Sequence, residues 1–165
     1  MAQRDLAPEI KNNRNALVST MRLKSSSGVK MYNLNVANPT GKIDQLGQVI
    51  AAYVDAPNYG FYACNFTGYQ DTITANGNVN SSNLSEYVFD RARVLGSSGN
   101  GSTYLGRPWR TYARVVWQNS ELGDVVNPQG WSTWDDKTST ENVYFKEFNN
   151  SGPGAAIDQR VPFSG

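Results

Sequence analysis

The chain has 165 residues, with 15 basic and 14 acidic side chains for a formal charge of +1, and it is 39% hydrophobic and 12% aromatic. Such a composition supports one folded domain with its own core, and without long charge runs it gives no electrostatic case for a nucleic acid or an anionic membrane surface as partner. Histidine is absent and Cys64 is the only cysteine, which excludes serine–histidine triads, histidine-ligated metals and an intrachain disulfide. No EF-hand spacing replaces them, so neither a metal nor an organic cofactor is expected.

Residues 1–165 are expected to form a single domain, of which about the first twenty, opening "MAQRDLAPEIKNNRN", make an atypical cap or extension with the only trace of helical period. That opening lacks the apolar core of a signal peptide, and no apolar run nears the roughly 18 residues of a membrane-spanning helix. The chain as written is expected to be a soluble monomer.

From Val29 onward one pattern recurs. "VKMYNLNV" from Val29, "YGFYACNF" from Tyr59, "YVFDRARV" from Tyr87, "VVWQNSEL" from Val115 and "VYFKEF" from Val143 start 30, 28, 28 and 28 residues apart. Their third positions, Met31, Phe61, Phe89, Trp117 and Phe145, are predicted to stack as one inward column beside Val29, Tyr59, Tyr87, Val115 and Val143. The sixth positions, Leu34, Cys64, Ala92, Ser120 and Phe148, require a bend or bulge before them to turn inward again. Strands at even spacing, joined by turn-forming stretches such as "NVANPTG", "ANGNVNSSN" and "LGSSGNGS", predict a solenoid whose coils bury their faces only by stacking. A parallel β-helix is the natural form, and an antiparallel β-sandwich is the competing one. Within it Cys64, flanked by Tyr62, Ala63 and Phe66, reads as a buried structural thiol. Asp90, next to inward Phe89, is expected on a solvated face. Sequons at Asn65, Asn80, Asn83, Asn100 and Asn149 suit a secreted glycoprotein, although such triplets arise readily in an Asn- and Ser-rich chain.

The side chains left for chemistry are carboxylates, amides and guanidinium groups: Gln48 in "LGQVIAAYV", Gln70 and Asp71 in "GYQDT", and Arg107 with Trp109 in "YLGRPW". Singly, these could be an amide ladder, a turn cap and a loop brace. As a set, "GYQDT" and "TYLGRPWRTYARVVWQNSELGDVVNPQGWSTWD", together with "VKMYNLNVAN", "GFYACNFTGYQDT" and "VYFKEFNNSGPGA", resemble the pectin methylesterases, the fungal members most of all, from about Ser19 onward.

The resemblance implies an all-β fold, a right-handed parallel β-helix, here shortened, and hydrolysis of methyl esters of homogalacturonan outside the cell. It implies that Asp71 is the general acid/base, that Gln70 and Gln48 donate to the tetrahedral oxyanion, that Arg107 orients the nucleophilic carboxylate, and that Trp109 lines the sugar cleft. Pectin is then the partner. The chemistry is coherent: amides aimed at a developing oxyanion stabilise it, and an arginine keeps one carboxylate ionised while a second stays protonated.

The chain departs from the family at two places. The Asp-Phe-Ile-Phe-Gly motif that carries the nucleophile is absent, as is the Gly-x-Tyr-x-Glu coil before it, and Thr72 runs directly into "ITANGN". Glu86, in "SEYVFD", sits in the wrong coil to substitute. Two rival functions stand beside the esterase: a pectin-binding remnant without turnover, which follows from this gap, and a lyase or polygalacturonase on the same fold. The latter would need a calcium-holding or catalytic carboxylate cluster that the sequence lacks.

Overall fold

The computed structural model describes residues 19–24, 28–39, 50–55, 59–67, 73–75, 79–82, 86–136 and 138–165. They contain twelve strands that follow one another around a coil. The first coil is β1 (Met21–Lys24), β2 (Lys30–Tyr32) and β3 (Asn35–Ala37); the second is β4 (Ala52–Asp55), β5 (Tyr59–Tyr62) and β6 (Asn65–Thr67); the third is β7 (Ile73–Ala75), β8 (Tyr87–Asp90) and β9 (Arg93–Val94). A fourth coil supplies β10 (Arg114–Gln118) and β11 (Glu121–Leu122), and a fifth supplies β12 (Tyr144–Phe148). Every ladder is parallel and joins a strand to its equivalent one coil away, which gives three sheets, β1-β4-β7, β2-β5-β8-β10-β12 and β3-β6-β9-β11. The expected parallel β-helix is what these residues form.

Its core is the column read from the sequence, for four of its five members. Met31 pairs in register with Phe61, Phe61 with Phe89 and Phe89 with Trp117. The rings of Phe61 and Phe89 stack at 5.3 Å between centroids, and those of Phe89 and Trp117 at 4.1 Å. Each contact of this kind adds about 0.5–1.5 kcal/mol to the gain from burying the ring. Cys64, Ala92 and Ser120 form the adjoining buried column, with the Cys64 thiol directed at the carbonyls of Tyr62 and Met31.

The bend ahead of that column has a specific cause. Asn33, Ala63, Arg91, Asn119 and Asn149 all have φ between 51° and 53°, the left-handed conformation, one in each coil. Asparagine tolerates it best, whereas at Ala63 and Arg91 it costs about 1 kcal/mol or more. Hydrogen bonds to the next coil offset that cost: the amides of Asn33, Ala63, Arg91 and Asn119 donate to the carbonyls of Tyr62, Asp90, Gln118 and Phe148 at 2.8–3.2 Å.

Two expectations are corrected. The last coil is two residues out of the expected alignment: Phe145 pairs with Val115, and it is Glu147 that stands opposite Trp117. Phe145 therefore leaves the aromatic column and stacks on Trp131 at 4.3 Å, while Phe148 faces solvent. The cause is the corner, since Asn149 takes the place of Asn119 and lies 30 residues after it, not 28. Asp90, expected on a solvated face, is only 7% exposed. Its Oδ1 accepts from the amides of Asn119 (2.8 Å) and Gln118 (3.3 Å), and Asn149 in turn donates to Asn119. A side chain that points away from the core is here roofed by the amides of the following coil.

Strand pairing survives the Thr72 junction. β7 begins one residue later, and Ile73 takes up register with Ala52 of β4, while Tyr87 of β8 pairs with Tyr59. The hint of helix in the first residues lies outside the described part of the chain.

Candidate active site

Arg107 and Trp109 lie between the third and fourth coils, on the segment that leads from β9 to β10. Two indole N–H groups hold this segment. Trp117, in the core, donates to the carbonyl of Leu105 at 3.2 Å, and Trp134 donates to that of Pro108 at 2.9 Å. The backbone is also bridged to the next coil, Leu105 N–H to the carbonyl of Gly130 and Ser132 N–H to that of Gly106. Gly106 lies close over the Trp131 ring: a Cβ there would meet that ring at 3.2 Å, so the ring would have to give by a few tenths of an ångström.

Trp134 is the residue that the sequence reading missed. The Arg107 guanidinium carbon stands 4.8 Å above its ring centroid, a cation–π contact. Trp109 meets it edge to face, with centroids 4.7 Å apart and planes at 76°. Both indoles remain 42% exposed, so they form two walls of an open corner with a cation on one of them. The turn after Trp134 is fixed by Thr138, whose hydroxyl donates to the Asp135 carboxylate at 2.9 Å. The signal that could have found Trp134 was an exposed tryptophan close behind a buried one in "GWSTWD".

Gln48, Gln70 and Asp71 lie outside the described residues. Among the described residues Arg107 has no ion-pair partner; the ion pairs belong to Arg91 with Asp90, Arg93 with Glu121, Arg114 with Glu86 and Arg160 with Glu147. Glu86 thus faces Arg114, at 3.6 Å, and not Arg107. Arg114 lies in turn over the ring of Tyr144 at 4.1 Å. Among the described residues no group of His, Cys, Asp and Glu side chains could hold a metal ion, and no helix is long and apolar enough to cross a membrane.

Comparison with known proteins gives this arrangement its context. A family model described as pectinesterase matches residues 72–165, starting at the Thr72 junction. A pectinesterase from Aspergillus niger is 35% identical over 181 residues, covering 79% of this chain and 54% of the relative, and one from Aspergillus aculeatus is 33% identical over 190 residues, covering 84% and 56%. The chain thus spans about half the length of the curated relatives it matches. The crystal structure of the pectin methylesterase from Aspergillus niger superposes with a TM-score of 0.63 at 29% identity, covering 94% of this chain and 65% of that one. Pectin methylesterase from carrot, at 22% identity and a TM-score of 0.59, shares the fold. With its parallel β-helix, its "LGRPW" segment and these relatives, the chain belongs to the pectinesterase family.

Proposed function

We propose that this protein is a single-domain, shortened pectin methylesterase-type β-helix that keeps part of a cleft for methyl-esterified homogalacturonan and has lost ester turnover. The observation that carries the reading is Arg107: among the described residues its cation faces an indole and no carboxylate. In a working site that cation would orient the nucleophile. The chain order supports the same reading, because Gln70-Asp71-Thr72 leads straight into β7 with no segment between to supply a second acid. So does the alignment to the Aspergillus niger relative, whose 181 positions take in only 79% of a 165-residue chain, leaving tens of positions of the relative with no counterpart here.

In the full reaction a carboxylate attacks the ester carbonyl, the oxyanion is held by amide donors, methoxide leaves with a proton from an acid, and water hydrolyses the acyl intermediate. Asp71 is assigned the acid, Gln48 and Gln70 the oxyanion donors, and Trp109 the sugar wall. Gln48 precedes β4 and Gln70–Asp71 precede β7, and those two strands are paired neighbours, which supports their serving one site. With no nucleophile the covalent route is closed. What remains is attack by water with Asp71 as base, and removal of a nucleophile elsewhere leaves only about 10³–10⁴-fold over the uncatalysed rate. Deployment outside the cell, on cell-wall pectin and as a monomer, fits this reading.

Methanol release from highly esterified pectin across a range of pH, with Asp71→Ala as control, tests it. The expected result is release far below one per second, with at most a small residue that Asp71→Ala removes. Turnover of about one per second, an ordinary enzymatic rate, that disappears in Asp71→Ala would overturn the proposal.

A further inference from the structure

We infer that the corner formed by Arg107, Trp109 and Trp134 is a carboxylate-reading sugar site, which binds galacturonan with free carboxyl groups in preference to its methyl ester. The inference rests on the proposed loss of the nucleophile, since it assigns the released cation to the ligand.

The geometry supplies the reasons. Among the described residues the Arg107 side chain makes neither an ion pair nor a hydrogen bond; its contact is the Trp134 ring, 4.8 Å from the guanidinium carbon. The guanidinium keeps its five N–H donors in its own plane, in the fork geometry that suits a planar carboxylate. Trp109, at 76° to Trp134, supplies a second wall against which the apolar face of a pyranose can pack. The corner is accessible, with both indoles 42% exposed, and it is held rigidly by the Trp134-to-Pro108 hydrogen bond and the Leu105–Gly130 and Gly106–Ser132 backbone bonds.

A uronate offers this site both an anion and two coplanar acceptors. Its methyl ester is neutral and has one strong acceptor, and the added methyl group occupies the position where the second N–H would bind. A hydrogen bond to a charged partner exceeds a neutral one by enough to change affinity about tenfold. The site therefore reads the product of de-esterification, not its substrate.

The test uses the full chain with polygalacturonate and the same polymer methyl-esterified to a high degree, following binding by calorimetry and tryptophan fluorescence. The expected result is about tenfold tighter binding of the free acid, weakening as salt rises toward the level where the screening length is about 8 Å. Arg107→Gln should remove the preference with an unchanged circular dichroism spectrum, and Trp109→Ala should weaken both polymers alike while leaving the preference. Equal affinity for the two polymers, no binding of polygalacturonate, a preference that survives Arg107→Gln, or one abolished by Trp109→Ala would each overturn the inference. Methanol measured in the same mixtures reports separately on turnover, so its appearance would sink the proposed function while the binding preference is judged on its own.

Discussion

The fifth coil holds a carboxylate where the aromatic column would continue, and its cost can be worked out. Glu147 stands opposite Trp117 with its side chain 9% exposed, and Arg160, 7% exposed, meets it with Nε and a terminal nitrogen at 2.7 and 2.8 Å. The same guanidinium donates to the carbonyls of Pro128 and Gly154, and Trp131 adds its indole N–H to Glu147 at 3.0 Å. The pair thus ties β12, the turn after it and the loop ahead of it into one closing plug. Arg160→Met leaves Glu147 buried with one remaining donor, a situation that costs about 3–5 kcal/mol, and Glu147→Leu leaves the guanidinium with two carbonyl acceptors and no counter-charge. The double variant removes both charges and is expected to lose less than either single one, because two apolar side chains of similar bulk need no partner. Urea titration followed by circular dichroism and tryptophan fluorescence gives the three values. A loss under about 1 kcal/mol for Arg160→Met, or a double variant as weak as the sum of the singles, would refute the view that the pair holds the end of the coil through mutual satisfaction of buried charge.

Phe89→Ala, cut from between Phe61 and Trp117, should cost about 3–5 kcal/mol, read as a shift in urea midpoint at constant slope; a loss below about 1 kcal/mol would mean that the column is not the core. Gly106→Ala should crowd the Trp131 ring, lower stability by about 1–3 kcal/mol and weaken galacturonan binding, and an unchanged affinity would detach the site from its backing. The exposed Arg93–Glu121 pair, bonded at 2.6 and 3.1 Å, lowers the Glu121 pKa and raises that of Arg93, in each case chiefly through the hydrogen bond between them. The stabilisation from Glu121 is therefore present above the ordinary glutamate pKa and is lost as pH falls through its depressed folded value. Thermal melts should show Glu121→Gln flattening that acid limb, and an identical pH profile in wild type and variant would contradict it.

The first four coils were legible because apolar alternation, a 28-to-30-residue spacing and turn-rich joints all point to one architecture. The fifth was misaligned because its inward position holds a glutamate, and the arginine that makes this tolerable comes thirteen residues later, beyond the reach of any local pattern. The better guide was the corner asparagine, Asn149 against Asn119. Asp90 was misread for a related reason: alternation reports direction from the core, not what the next coil lays over the side chain. At the candidate site Arg107 and Trp109 announced themselves through a specific motif, whereas Trp134 belongs to the following coil and joins them only through stacking, which sequence distance conceals. Gln48, Gln70 and Asp71 fall outside the described residues and rest on motif alone.

The left-handed corners also govern where this chain can vary in length. From one register position of the second sheet to its corner the path is always four residues: Val29 to Asn33, Tyr59 to Ala63, Tyr87 to Arg91, Val115 to Asn119 and Phe145 to Asn149. Corner-to-corner distances nevertheless run 30, 28, 28 and 30, so every gain or loss of residues is absorbed on the remaining stretch, from the third sheet around to the next second-sheet strand. Arg107, Trp109 and Trp134 all sit on that stretch. Selection can therefore lengthen, trim or re-aim the wall that carries Arg107, Trp109 and Trp134 while the second-sheet wall keeps a fixed gauge, so that this side of the coil can change its surface with the scaffold's dimensions left intact.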